Sequence, residues 1–408
     1  MVTHQICAAF ARQGVRRWVV CVSVALSVPA ASIFGQDPPP GPTQNALAGS
    51  WVFGAKGCAR CHSINGLGET VGPDLGRIGQ LRTYYDLAAG FWNHFPQMVK
   101  QMREMGFDPP HVNEREIGDL IAFLTSINYF DTPGDVDKGR ALFTDKECVR
   151  CHQVAGVGGV VAPSLDYLGN MGSPIQVAAA MWNHGPAMTE AMQTLGIRRP
   201  GFSATELNDL IAFLRSAAPG PPQGPMYVLP GRADLGRRWF VEKGCLECHS
   251  IRGRGGSRAP DLASQGRQLS LSEFAATMWN KAPGMLRVMR AQGISVPQLE
   301  VSQMADIVAY LYSVRYFQRA GDAAAGRRVI QNRGCLECHT RRTARGVRAG
   351  GDLAKVRDLH SPTAVIAAMW NHGRVMTQEA EGRIIWPTLL PKEMSDIAAY
   401  FIQLGSPQ

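Results

Sequence analysis

CVRCH, residues 148–152, is one of four C-x-x-C-H units in this 408-residue chain; the others are CARCH (58–62), CLECH (245–249) and CLECH (335–339). Their histidines, His62, His152, His249 and His339, are spaced 90, 97 and 90 residues apart. Working outward from each unit, the same residue types return at fixed offsets. A glycine stands thirteen residues before each histidine (Gly49, Gly139, Gly236, Gly326), and Phe53, Phe143, Phe240 or Ile330 stands nine before it. Sixty-one residues after it comes Phe123, Phe213, Tyr310 or Tyr400. Matched offsets over such a length mean four copies of one folded unit.

The unit reads as helical throughout. Thr83, Ser173, Ser270 and Ser361 each lie nine residues before a tryptophan and suit the N-cap of a middle helix, with Pro174 and Pro362 at the first helical position. Ser203 with Glu206, and Asn113 with Glu116, have the spacing of a capping box before the last helix. Apolar residues such as Leu207, Leu210, Ile211 and Leu214 follow at helical intervals, and no segment alternates as a strand would. A glycine in the first helix facing an aromatic in the last, as Gly139 and Phe213, implies two helices crossing at close range.

The cysteines decide the chemistry. Zinc sites built on C-x-x-C normally use two such halves per metal, and thiol redox chemistry on this motif expects a thioredoxin-like setting with strands. A histidine directly after the second cysteine, four times in register, instead indicates covalent haem c, with two thioethers and a proximal imidazole on the iron. The cofactor expectation is four covalently attached haems, held by Cys58, Cys61, Cys148, Cys151, Cys245, Cys248, Cys335 and Cys338, with His62, His152, His249 and His339 on the iron. A repeat of about 90 residues buries limited apolar surface, so without haem these units are expected to unfold.

From about residue 45 onward the chain resembles a class I cytochrome c repeated four times. The resemblance rests on C-x-x-C-H after the first helix, the glycine–aromatic helix crossing, and VGPDLGRIG (71–79), which is similar to the family's Gly-Pro-x-Leu loop. It implies that Pro73, Pro163 and Pro260 help to orient the proximal histidines. Repeat 4 departs, with Gly351 at that place after a one-residue insertion, so His339 is expected to be held differently.

MWNHGPAM (181–188) and its relatives FWNHFPQM (91–98), MWNKAPGM (278–285) and MWNHGRVM (369–376) carry the candidates for a second axial ligand. Met181 is matched by Phe91 in repeat 1, His184 by Lys281 in repeat 3, and Met192 by Ala380 in repeat 4. Only the last methionine is matched throughout, as Met98, Met188, Met285 and Met376. These four are the expected distal ligands, as the resemblance also implies; His94, His184 and His372 are the rivals. Trp92, Trp182, Trp279 and Trp370 are expected to pack against haem.

The fold expectation is therefore all-α, four tandem class I cytochrome c domains arranged as two di-haem pairs. The boundaries read as a signal peptide over 1–36, domains over 45–132 and 133–218, a Pro-rich linker over 219–230, and domains over 231–318 and 319–408. INYFDTPGD and VRYFQRAGD make similar joints within repeats 1–2 and 3–4, while AAPGPPQGPMYVLPGR (217–232) separates the halves, so the expected pairs are 1 with 2 and 3 with 4. Arg12, Arg16 and Arg17 before an apolar stretch (18–34) read as an export signal, placing the protein in the periplasm or another extracytoplasmic space, membrane-anchored only if that segment is retained.

The net charge of +9 is uneven: residues 37–220 hold 14 Lys/Arg and 18 Asp/Glu, a net of −4, and residues 221–408 hold 25 and 15, a net of +10. A basic C-terminal half suits an acidic redox partner rather than nucleic acid, given export. Two filled axial positions leave iron that only changes charge, so the expected function is electron carriage between redox partner proteins. The alternative is a haem enzyme subunit, peroxidase-like or oxidising sulfur compounds, with one labile or open site.

Overall fold

The computed structural model describes residues 44–64, 66–76, 83–127, 134–166, 173–217, 231–264, 269–315, 321–339, 350–379 and 385–405. The export segment and the Pro-rich linker fall outside these. Each repeat contributes a first helix, a short turn over C-x-x-C-H, a long middle helix and a last helix. In domain 1 these are α1 (Ala46–Ala55), α2 (Tyr84–Glu104) and α3 (Glu114–Ile127). Domain 2 has α4 (Val136–Asp145), α5 (Pro174–Thr194) and α6 (Ala204–Ser216). Domain 3 has α7 (Ala233–Glu242), a motif turn α8 (Cys245–Cys248), α9 (Leu271–Ala291) and α10 (Val301–Ser313). Domain 4 has α11 (Ala323–Asn332), α12 (Cys335–His339), α13 (Pro362–Glu379) and α14 (Pro391–Gly405). Among the described residues, strands amount to two two-residue ladders, Gln153–Val154 with Val157–Gly158 and Ser250–Ile251 with Arg254–Gly255. The all-α expectation holds.

The helices begin where the sequence places their caps. Ser173 and Gln176, Ser203 and Glu206, and Ser270 and Glu273 form reciprocal capping boxes at α5, α6 and α9, and Asn113 with Glu116 does the same at α3. Each such cap is worth about 1 kcal/mol.

Within every domain the first and last helices cross at the expected glycine. A Cβ on Gly139 would sit 1.9 Å from the Asp209 carbonyl oxygen and 2.7 Å from Phe213 Cβ; Gly49, Gly236 and Gly326 stand equally close to Asp119, Asp306 and Asp396. No side chain fits there. The same aspartates do a second job, each accepting the backbone N–H at the start of the opposite helix: Asn45, Asp135, Arg232 and Asp322 all donate at 2.7 Å. These carboxylates recur 57 residues after each motif histidine, and the sequence reading passed over them.

How the domains associate corrects the sequence expectation. Among the described residues the extensive interdomain packing is domain 2 on domain 3 and domain 1 on domain 4, not 1 on 2 and 3 on 4. Helix α5 lies along α9, with α6 against α9 and α10 against α5; α2 packs on α13 and α14, and α3 on α13. The physical reason is a reciprocal clasp built from the Trp-Asn dipeptide of each middle helix. The Trp182 indole donates to the Pro297 carbonyl at 2.8 Å, and Trp279 returns the bond to Pro200 at 2.6 Å. Asn183 brackets Leu299, its amide donating to the carbonyl and its oxygen accepting the N–H, at 2.8 and 2.9 Å; Asn280 brackets Phe202 likewise. Domains 1 and 4 repeat the pattern, with Trp92 on Pro387, Trp370 on Pro110, Asn93 on Leu389 and Asn371 on Val112. Each interface uses the same patch from both sides, as a two-fold homodimer does, within one chain.

Candidate functional site

Every C-x-x-C-H unit is entered through a left-handed residue: Gly57 (φ 77°), Gly244 (74°), Gly334 (75°) and, in domain 2, Glu147 (61°). The chain then closes a single tight turn. The histidine N–H reaches back to the carbonyl of the first cysteine at 3.0 Å for His62, 2.9 Å for His152 and 3.0 Å for His249. Cysteines three apart in such a turn lie on one side of it. Burial pushes the Cys58 and Cys148 thiols up to about 11, Cys245 up to about 12, and Cys335 upward as well. Metal binding and disulfide exchange both need the thiolate, which these environments disfavour. Among the described residues no three His, Cys, Asp or Glu side chains converge as a zinc site requires.

In three domains the histidine ring is fixed through its Nδ1. His62 bonds the Pro73 carbonyl, His152 that of Pro163 and His249 that of Pro260, each at 2.9 Å. A carbonyl can only accept, so Nδ1 carries the proton and Nε2 keeps its lone pair for a metal. The preceding residue leaves no slack: a Cβ on Gly72 would stand 2.6 Å from the His62 ring. A ring tied at Nδ1, a free Nε2, and two cysteines in the same turn fit covalent haem on this chain. The loop prolines do what the resemblance implied of them.

Domain 4 is built differently. Gly351, at the proline position, has φ 73°, a value that a proline ring forbids. His339 is buried at 8% exposure, and its Nδ1 makes no well-formed hydrogen bond, although the Gly350 and Gly351 backbone lies beside the ring. Burial lowers the pKa of His339, against the Gly351 and Gly350 backbone groups beside it, and partial desolvation lowers that of His372, whose side chain is still exposed. Their ring centroids are 6.0 Å apart.

The four matched methionines, Met98, Met188, Met285 and Met376, are half-buried on α2, α5, α9 and α13. Each follows its tryptophan by six residues, which turns it about 120° away around the helix. The middle helix therefore has two working faces. One carries Trp-Asn to the neighbouring domain, and the other carries the histidine and methionine. The indole N–H groups of Trp92, Trp182, Trp279 and Trp370 are committed to carbonyls of the partner domain and so are not available to a haem propionate. His94 is exposed and bonds through Nδ1 to the Gly90 carbonyl of its own helix at 3.0 Å; Lys281, at the same place in domain 3, is also exposed.

Comparison with known families agrees with this geometry. The model of the cytochrome c family matches three stretches, 46–128, 136–218 and 233–315, which are domains 1, 2 and 3 and together exceed half of the chain. Domain 4 lies outside the matched stretches. No curated protein matches the chain. The tight cysteine turn, the histidine tied to a loop proline and the three family matches lead to one conclusion: this chain belongs to the cytochrome c family, as a multidomain haem protein of electron transfer.

Proposed function

We propose that the chain is an exported electron carrier with one covalent haem c in each of its four domains. Cys58, Cys61, Cys148, Cys151, Cys245, Cys248, Cys335 and Cys338 would hold the haems, and His62, His152, His249 and His339 the proximal side. Met98, Met188 and Met285 would be the distal ligands in domains 1 to 3; domain 4, where the repeat pattern points to Met376, is taken up below. The observation that carries this reading is the Nδ1 bond from His62, His152 and His249 to a proline carbonyl, all at 2.9 Å. A bound haem supplies a one-electron centre. The chain sets its environment: the proline carbonyl keeps imidazole basic, and a thioether opposite raises the potential relative to a more basic donor.

Domain packing supports exchange of electrons between domains 2 and 3 and between domains 1 and 4. The basic half, with Arg252, Arg254 and Arg258 directly after the third motif, suits an acidic partner arriving by electrostatic steering. No helix among the described residues is long and apolar enough to cross a membrane.

The test is carbon monoxide binding to the reduced protein after the haem-to-polypeptide ratio has been measured. Four haems with no Soret change mean sealed irons and electron carriage. Binding equal to one haem reveals an open site and turns the reading toward a haem enzyme.

A further inference from the structure

This inference rests on the haem reading and concerns the domain where the repeat is broken. In domains 1 to 3 the loop proline does more than accept a hydrogen bond. Its φ is fixed near −65°, which aims its carbonyl at the imidazole and keeps the ring from turning. In domain 4 the backbone at Gly351 runs through φ 73°; the Gly350 and Gly351 backbone groups lie beside the ring, yet buried His339 Nδ1 makes no well-formed hydrogen bond. A neutral imidazole in that position is held by packing and by these poorly aligned backbone contacts, without the 2.9 Å bond of the other three domains. The Gly350 backbone still presses on it, since a Cβ there would lie 2.9 Å from Nδ1.

The ring faces His372. Their centroids are 6.0 Å apart, with planes inclined at 48°, the one pair of imidazoles in ring contact among the described residues. A metal–nitrogen bond of about 2 Å, plus about 1 Å from that nitrogen to the ring centre, places two imidazoles on opposite sides of one metal about 6 Å apart. His372 also stands four residues before Met376 on α13, so the two share a helix face and compete for one place. The corresponding His94 is engaged with its own helix at Gly90, and domain 3 has Lys281 there.

We propose that the iron of domain 4 takes His339 and His372 as its axial pair, so that this domain is a bis-histidine centre among His/Met centres. Imidazole is the stronger donor and stabilises the oxidised iron. The lack of a well-formed bond at His339 Nδ1 acts in the opposite direction, by leaving that ring less basic than its three counterparts. Exchange of an axial ligand outweighs one outer hydrogen bond, so domain 4 has the lowest potential of the four. Electrons then enter the chain at domain 4, and the domain it packs against, domain 1, is a natural first recipient.

The test uses the full-length protein with haem content fixed first by intact mass and pyridine haemochrome. A count below four with domain 4 empty fails the haem reading itself and this proposal with it. With four haems, ferric-state spectra decide the ligand. The far-red charge-transfer band of methionine-ligated haem is expected at three haems' amplitude, beside one bis-imidazole low-spin signal in electron paramagnetic resonance. Met376→Ala leaves both unchanged. His372→Ala abolishes the bis-imidazole signal, and His372→Met raises the far-red band by one haem's share while that haem's potential climbs. A four-haem band in the unaltered protein, or loss of one haem's share in Met376→Ala, overturns the proposal.

Discussion

Domains 2 and 3 and domains 1 and 4 are joined by the same hydrogen bonds but fill the space between their helices differently. The residue before the clasp proline is where they diverge. In the 2–3 pair it is Arg199, whose guanidinium lies 3.3 Å over the Trp279 ring and donates to Thr189 Oγ1 at 2.6 Å; burial brings its pKa down to about 10. In the 1–4 pair it is Trp386, tilted by 33° against Trp92 with ring centroids 4.5 Å apart and bonded to the Trp92 carbonyl at 2.9 Å. Three turns into the middle helices the contrast repeats. Gly185 faces the Arg199 guanidinium, whose Nη2 would stand 4.0 Å from a Cβ there, and its counterpart on α9 is the small Ala282, whereas Phe95 occupies the hollow left by Gly373, where a Cβ would meet its ring at 2.7 Å. Phe95 also meets Trp370 edge-on at 5.0 Å. The polar clasp is thus common to all four domains, and size complementarity selects the partner. Phe95 needs Gly373, while the small pair needs nothing large.

Substitutions should separate these two roles. Trp386→Ala removes the ring packed on Trp92 and should cost about 3 kcal/mol, confined to the 1–4 interface. Faster hydrogen exchange at the Val112 and Leu389 amides, with Phe202 and Leu299 protected as before, is the expected record. Gly373→Leu overpacks the same hollow at a cost of about 2 kcal/mol, and adding Phe95→Ala should restore much of it in a double-mutant cycle. Equal losses with and without Phe95 would defeat the complementarity argument. Asn183→Ala strips both bonds from Leu299 and should lower the 2–3 interface by about 2 kcal/mol, with Asn93→Ala doing the same to domains 1 and 4. Unequal losses would show that the clasp is not the shared element.

Two smaller effects belong to single domains. Glu147 occupies a left-handed position that its three counterparts fill with glycine, so Glu147→Gly should stabilise domain 2 by about 0.5–1 kcal/mol, read by thermal unfolding. It would also remove the Glu147–Arg150 pair at 2.9 Å, an exposed contact of little worth. The smallest concerns pH. Burial raises the pKa of Asp119, against the Asn45 N–H and Arg115. The folded state then holds its proton more tightly than the unfolded chain, so domain 1 loses stability as pH rises from the ordinary carboxylate range through the folded value. Asp119→Asn should flatten that decline while still accepting from Asn45; an unchanged slope in urea midpoints against pH would place its origin elsewhere.

Local structure was legible in the sequence because its causes are local. Ser173, Ser203 and Ser270 cap where their spacing said, Gly139 meets Phe213, and Pro73 holds His62. The partners of each domain were not legible, for a physical reason. A Trp-Asn dipeptide followed by a proline 17 or 18 residues later recurs four times, yet that spacing is the same whether Trp92 reaches Pro110 of its own domain or Pro387 of another. Joint lengths pointed to sequence neighbours, while the side chains that choose partners, Phe95, Gly373, Arg199 and Trp386, are the ones the repeats do not share. Asp119 and its three counterparts were legible and missed, because a buried carboxylate reads as surface when its acceptor role is invisible.

The nesting of the pairs has a consequence for how the molecule is made. Trp182 and Pro297 are 115 residues apart, but Trp92 must find Pro387, 295 residues away. As the chain emerges from its N-terminus, domains 2 and 3 can close on each other while domain 4 is still being synthesised. Domain 1 has no such option and must present Trp92, Phe91 and Phe95 to solvent until the last helix arrives. That waiting interval, longer than any other in the chain, is the period when a second copy or a chaperone has its best opportunity to occupy the face reserved for domain 4.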